Sequence, residues 1–377
     1  MPGEGAQPII AGKSIAQRQL LFARECGCTM VIAHGGGASS DAISLRQAVE
    51  GAGLRYQAIS NSHALAGAIG GEDSLLVLQP GLLPESRQAL DLLRADGDRL
   101  LVTSAGPGAA AGFERIDLDR AWGGAVTMPG RWLEALTSLP EDAAPHAALL
   151  RIALQKRLPE ARLADSILDD GRWMLICDAQ TAELREKHWM RDQLGAPSNG
   201  AVSRTVARFA VSRTGSWLMA RKWARPVLLA VTAIVLGGSV AAAIYDQPVA
   251  AFGLAALAVP LLESFLSLSR LAVAPFGRIA RLPWLRRAID AVLLVIAFLA
   301  IDSLWYRAAF PAFVLVAGLL LLDRRAVRGI VETLRDRAVV AATIGVVAAI
   351  FSPEVAIMSV VALLLAVKLA PDAKDSG

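Results

Sequence analysis

Cysteine and histidine are scarce in this chain. Cys26, Cys28 and Cys177 are its three cysteines, and His34, His63, His146 and His188 its four histidines. None has the spacing of a zinc pair or of a CxxC redox motif. That excludes a zinc ribbon and a thioredoxin-type centre, and leaves the thiols as reduced, structural groups and the histidines as surface or packing residues. The glycine signatures of nucleotide binding are missing as well. Gly35-Gly36-Gly37 would offer backbone N–H groups to a phosphate, yet it has neither GxGxxG spacing nor a following Lys-Ser/Thr, so it reads as an ordinary loop. The first residues, Met1-Pro2-Gly3-Glu4-Gly5, lack the basic stretch and apolar run of a cleavable signal peptide, and the N-terminal region is therefore expected to stay in the cytoplasm.

What the chain has in abundance is apolar sequence, concentrated after about residue 225. Six apolar stretches follow one another: Pro226 to Tyr245, Val249 to Leu268, Ala288 to Trp305, Ala309 to Leu322, Ala338 to Phe351 and Val355 to Leu369. A membrane span needs about 20 such residues, or fewer where flanking side chains snorkel. Arginine separates these stretches asymmetrically. Arg204, Arg208, Arg213, Arg221, Lys222 and Arg225 precede the first, Arg270, Arg278, Arg281, Arg286 and Arg287 follow the second, and Arg324, Arg325, Arg328, Arg335 and Arg337 follow the fourth. The other three connections hold only Arg307. Basic residues are retained on the cytoplasmic side, so six spans with both termini cytoplasmic are expected, in an inner (plasma) membrane. The same distribution explains the formal charge of +4 without a nucleic-acid partner. Between Ser203 and Arg225, Phe209, Trp217, Leu218 and Trp223 alternate with arginines, as suits a helix lying among lipid headgroups.

The first half alternates helix-like and strand-like patterns. Helices are expected at Gln17 to Glu25, Asp41 to Gly51 and Pro84 to Arg94, and strands at Met30 to Ala33, Tyr56 to Ser60, Ser74 to Leu78 and Arg99 to Thr103. That order predicts a soluble α/β domain with a mostly parallel sheet and helices on both faces. The domains expected are residues 1–195 for this α/β part, 196–225 for a basic juxtamembrane linker, 226–370 for an all-α membrane domain and 371–377 for a tail.

Two stretches carry a resemblance to known proteins. Gln7 to Leu20 (QPIIAGKSIAQRQL) resembles the segment that follows the nucleotide-binding strand and loop in sugar-nucleotide-type nucleotidyltransferases. Pro197 to Arg213 (PSNGAVSRTVARFAVSR) is similar to the junction through which such a domain is fused to a CDP-alcohol phosphatidyltransferase. The order of parts matches the bifunctional inositol-phosphate cytidylyltransferases fused to a di-inositol-phosphate phosphate synthase. The resemblance implies a nucleotidyltransferase-like, Rossmann-like domain followed by a six-helix membrane domain, with a dimer surface shared across the family.

The departures fall where the chemistry of that family lies. Before Gln7 stand only Met1 to Ala6, where the family has a strand and a Gly-rich loop. After the strand Leu75 to Leu78, where an Asp would hold Mg²⁺, the chain reads Gln79-Pro80-Gly81. The membrane family is defined by DxxDGxxAR followed by GxxxDxxxD, whose carboxylates hold divalent metal. In the register that keeps Gly277, its four Asp positions are Pro260, Glu263, Arg281 and Leu285; a second register puts Val273 and Phe276 at two of them. Two readings of function follow. The first is a non-catalytic relative, a pseudoenzyme that binds, scaffolds or regulates in phospholipid and headgroup metabolism, with no cofactor. The second is an active phosphotransferase acting on a CDP-linked donor through a rebuilt site that uses Mg²⁺ or Mn²⁺. Its candidate catalytic carboxylates are Glu263 and Asp290, with Asp302 beside them, because ionisable groups in or near spans are costly and often functional. Arg270, Arg278 and Arg281, in one basic cluster with Arg286 and Arg287, are candidates for phosphate, since guanidinium binds phosphate bidentately as well as setting topology. The expected partners are the bilayer, a CDP-linked or anionic lipid and a second copy of the chain. A transporter is disfavoured, because the spans show neither paired broken helices nor a chain of buried carboxylates.

Overall fold

A computed structural model describes residues 8–35, 39–140, 143–195, 201–219, 221, 223–276, 283–323 and 330–369. The chain divides into two compact units, Met1–Trp189 and Met190–Gly377.

The first unit runs β1 (Ile9–Ile10), β2 (Lys13–Ser14), α1 (Ile15–Glu25), β3 (Met30–His34), α2 (Ser40–Gly51), β4 (Arg55–Ile59), α3 (His63–Ala68), β5 (Ser74–Leu78), β6 (Leu82–Pro84) and α4 (Arg87–Arg94). It continues with β7 (Leu100–Ser104), α5 (Ala105–Ala110), β8 (Arg120–Pro129), a 3₁₀ stretch (Gly130–Ser138), α6 (Pro145–Gln155), β9 (Glu160–Arg162), α7 (Ser166–Asp169), β10 (Trp173–Leu175) and α8 (Ala179–Leu194), which ends in the second unit. Local chemistry sets several of the helix starts. Ser14 and Gln17 form a reciprocal capping box at α1, and the Ser39 and Ser86 hydroxyls accept from the Ala42 and Ala89 N–H groups at α2 and α4.

The expected mostly parallel sheet is found instead as small sheets of mixed sense. β3 and β4 pair in parallel, Met30 opposite Arg55 through His34 opposite Ile59. The largest sheet has the order β5-β8-β7-β9, with β8 antiparallel to both neighbours and only β7 and β9 parallel. β6 pairs with β10 and β1 with β2, both antiparallel. The cause of the departure is β8, whose residues from Ala121 to Pro129 are all buried, so that it shows no alternation of apolar and polar positions. Its Gly123-Gly124 pair sits beside the register shift in β7. A Cβ on Gly123 would lie 3.0 Å from the Leu101 carbonyl oxygen, and Gly124 has a φ of +75°, so both positions need glycine. Pro84 also differs from expectation: it ends β6, and the helix begins three residues later behind its Ser86 cap. The core gathers Val77, Leu100, Val102, Trp122, Val126, Met128, Leu133 and Leu149.

The second unit is helical: α9 (Val202–Met219), α10 (Ala224–Ile244), α11 (Pro248–Val273), α12 (Pro283–Leu299), α13 (Trp305–Asp323), α14 (Ile330–Thr333), α15 (Arg337–Ile350) and α16 (Pro353–Leu369). Among the described residues three helices, α10, α11 and α13, are long and apolar enough to cross a membrane, and on that ground the chain is a membrane protein. α11 is the most buried of the three and packs against α9, α10, α12 and α15. Trp305, expected to close the third apolar stretch, opens α13 instead, because Asp302-Ser303 break the helix after Leu299. The core of this unit holds Phe252, Leu262, Leu293, Ile296, Leu315, Leu319, Ile344 and Ile357.

Candidate functional site

The polar groups of the helical unit meet around α12. Arg286 and Asp290 stand four residues apart on that helix and therefore on one face. Glu263, on α11, receives Arg286 in a bidentate pair: Nε donates to Oε1 and Nη2 to Oε2, both at 3.0 Å. The Glu263 side chain is 11% exposed and Arg286 43%, so the carboxylate is the buried partner. One turn along, Asp290 receives Arg337 of α15, from Nε at 2.9 Å and from Nη2 at 3.3 Å.

The other edge of Arg337 is held equally tightly. Nη1 donates to Asp323 Oδ1 at 2.8 Å and Nη2 to Asp323 Oδ2 at 2.6 Å, at the last residue of α13. Nη1 also reaches the Arg335 carbonyl at 3.0 Å. Arg335 faces Asp323 as well, with Nε 3.7 Å from Oδ1. Beside them Asp336, 6% exposed, accepts the Ala338 N–H at 3.0 Å through Oδ1 and the Ser203 N–H at 2.5 Å through Oδ2. It therefore caps α15 and the start of α9 with a single side chain.

This donor set does not fit a divalent cation. Glu263, Asp290 and Asp323 each have a guanidinium on them, Asp336 is spent on backbone N–H groups, and no group of three His, Cys, Asp or Glu poised for a metal occurs among the described residues. Pro260, at the first Asp position of one register, lies inside α11, and its carbonyl accepts the Ser264 hydroxyl at 2.7 Å. Leu285 and Val273 are apolar members of α12 and α11.

The remaining candidates do not join this cluster. Asp302 is exposed in the connection after α12, about 20 Å along the helix axis from Arg286. Arg270 is exposed in the last turn of α11. Arg278 and Arg281 lie outside the described residues, as do Gly36, Gly37, Gly277 and residues 196–200 of the junction. From the sequence, Arg335 and Arg337 are assigned to topology, Arg286 to topology or phosphate, and Asp323 and Asp336 have no role. The four-residue spacing of Arg286 and Asp290 places both on one face of α12 but signals neither of their partners, Glu263 and Arg337, which lie on α11 and α15.

In the first unit, Gln79-Pro80-Gly81 is a tight turn rather than a cation site. The Gln79 N–H donates to the Gly124 carbonyl at 2.8 Å, and its own carbonyl accepts the Gln19 side chain at 2.9 Å. Gly81 has a φ of +81°. The described part of the first resembling stretch, Pro8 to Leu20, serves the core: Arg18 donates to the Ile10 carbonyl at 2.7 Å, pairs with buried Glu85 and lies 4.5 Å from the centre of the Trp189 ring. Arg185 approaches the same carboxylate at 3.7 Å. Burial pushes the Glu85 carboxyl up from its ordinary range, against the downward pull of the two guanidiniums. An apolar groove of about 410 Å³ beside α6, edged by Glu114 and Arg151, brings none of these residues together.

Fold and site thus define a membrane protein with an N-terminal α/β unit and a helical unit in which Glu263, Asp290 and Asp323 are each paired with arginine. No family model matches the chain, and no curated protein sequence matches it.

Proposed function

We propose that this protein is a non-catalytic relative of the CDP-alcohol phosphatidyltransferases: a multi-pass inner (plasma) membrane protein with six spans, both termini cytoplasmic and a nucleotidyltransferase-like, Rossmann-like N-terminal domain. Its role is binding, scaffolding or regulation in phospholipid and headgroup metabolism. The observation that carries this reading is the engagement of Asp290 and Asp323 by the two edges of one guanidinium, Arg337, with Glu263 paired to Arg286 nearby. A phosphotransferase of this type needs carboxylates free to hold divalent metal against a diphosphate, and a guanidinium in their midst repels that metal.

Aromatic placement supports the six-span arrangement. Tyr245 follows α10, Trp305 and Tyr306 open α13 and Phe351 follows α15, all exposed, at the ends away from the arginine clusters; Trp223 and Trp284 stand at the arginine-rich ends. Aromatic side chains of this kind collect at the two membrane–water interfaces.

The test is binding of CTP, CDP and a CDP-linked lipid to the purified full chain in nanodiscs, with and without Mg²⁺ or Mn²⁺, followed by assay of CMP release. The expected outcome is no metal-dependent binding and no CMP. Metal-dependent binding with CMP release would sink the reading and point to Glu263 and Asp290 as members of a rebuilt site.

A further inference from the structure

We propose that Arg221, packed over Trp217 and beside Trp223 where α9 gives way to α10, binds the phosphate of an anionic phospholipid headgroup. The guanidinium carbon of Arg221 lies 3.7 Å from the centre of the Trp217 ring and 5.6 Å from that of Trp223, and the two indoles meet edge to face at 6.0 Å. A guanidinium stacked on an aromatic face keeps its N–H donors in its own plane, aimed outward at the edge, which is the geometry of bidentate phosphate recognition. Among the described residues no carboxylate pairs with Arg221, in contrast to Arg286 and Arg337. The backbone fixes the corner: the Arg221 N–H donates to the Leu218 carbonyl and its carbonyl accepts the Ala224 N–H, both at 3.2 Å.

Two further observations give the occupant. α9 buries Ser203, Ala207, Val211 and Gly215 at four-residue intervals, and Phe209, Arg213 and Trp217 follow the same interval two residues out of step, about 200° around the helix. That face, away from the protein, is exposed at Phe209 and Trp217, and Arg213 lies 4.7 Å from the centre of the Phe209 ring. Aromatic rings interleaved with arginine match the boundary between acyl chains and headgroups. Continuity with the bilayer is direct, because α10 begins at Ala224 and its 21 residues span about 31 Å, the thickness of the hydrocarbon core. Arg221 therefore stands at headgroup level, with open aromatic faces for lipid and a free edge for phosphate. The proposal is independent of whether Glu263 and Asp290 ever held a metal.

Native mass spectrometry of the full chain tests it, using detergent micelles doped with equal amounts of short-chain phosphatidylglycerol and phosphatidylcholine. The first bound lipid is expected to be phosphatidylglycerol, and Arg221→Gln is expected to lower its occupancy at least five-fold. Arg221→Lys is expected to restore little, since an ammonium lacks the planar fork. Arg204→Gln, on the exposed side of α9 away from the indoles, is expected to leave occupancy within two-fold. Unchanged phosphatidylglycerol occupancy in Arg221→Gln would overturn the proposal. So would equal binding of the two lipids, or displacement of phosphatidylglycerol by millimolar inorganic phosphate, which would mark a site for a free anion.

Discussion

A guanidinium carries five N–H donors, and Arg337 commits all of them: two to Asp290, two to Asp323 and one to the Arg335 carbonyl. Removing it strands the buried Asp290 charge. Arg337→Met is expected to cost about 3–5 kcal/mol of stability, read by thermal unfolding of the full chain in detergent. Adding Asp290→Leu to it is expected to recover most of that loss, because the remaining partner, Asp323, is 39% exposed and solvated. A different kind of burial governs Cys26. Desolvation, with a smaller contribution from neighbouring Cys28, pushes its thiol up to about 12. At pH 8 it stays protonated, and since the thiolate is the nucleophile, iodoacetamide is expected to modify exposed Cys177 first and Cys26 only on unfolding, as peptide mass mapping over time will show.

Among the elements, α9 and α15 depend on one carboxylate for their starts. Asp336→Ala removes the cap of α15 and leaves the buried Ser203 N–H of α9 without its acceptor, for an expected loss of about 1–3 kcal/mol. Hydrogen exchange is the appropriate measurement: protection is expected to fall in the first turns of both helices together, and a change confined to α15 would show that α9 does not rely on Asp336. In the sheets, β3, β4 and β5 were legible within a residue or so because each is a short run bounded by polar or glycine residues. β8 was not legible, since burial on both faces removes the period-two signal, and nothing local announces that it inserts antiparallel between β5 and β7.

For the whole molecule, the alternation of arginine-rich and arginine-poor connections leads to a topological expectation. In a background with Cys26, Cys28 and Cys177 replaced by serine, Gln247→Cys and Ser303→Cys are expected to react with a membrane-impermeant maleimide from one side of sealed vesicles, and Ser216→Cys and Glu332→Cys from the other. Labelling of Gln247→Cys and Glu332→Cys from the same side would overturn the six-span reading.

The division of the chain into an α/β part and an apolar helical part was settled by the sequence alone, as was the position of α10, α15 and α16 to within two residues, while ends of α11, α12 and α13 differ from the apolar stretches by four to six. Both rest on hydropathy and periodicity, which are properties of neighbouring residues and need no partner. Which charge meets which belongs to the tertiary structure. Glu263 and Arg286 are 23 residues apart, Asp290 and Arg337 47, and Ser203 and Asp336 133. Only the packing of α9, α11, α12, α13 and α15 brings these groups within hydrogen-bond distance, and in a medium of low dielectric a carboxylate's meaning is set by the partner it finds there.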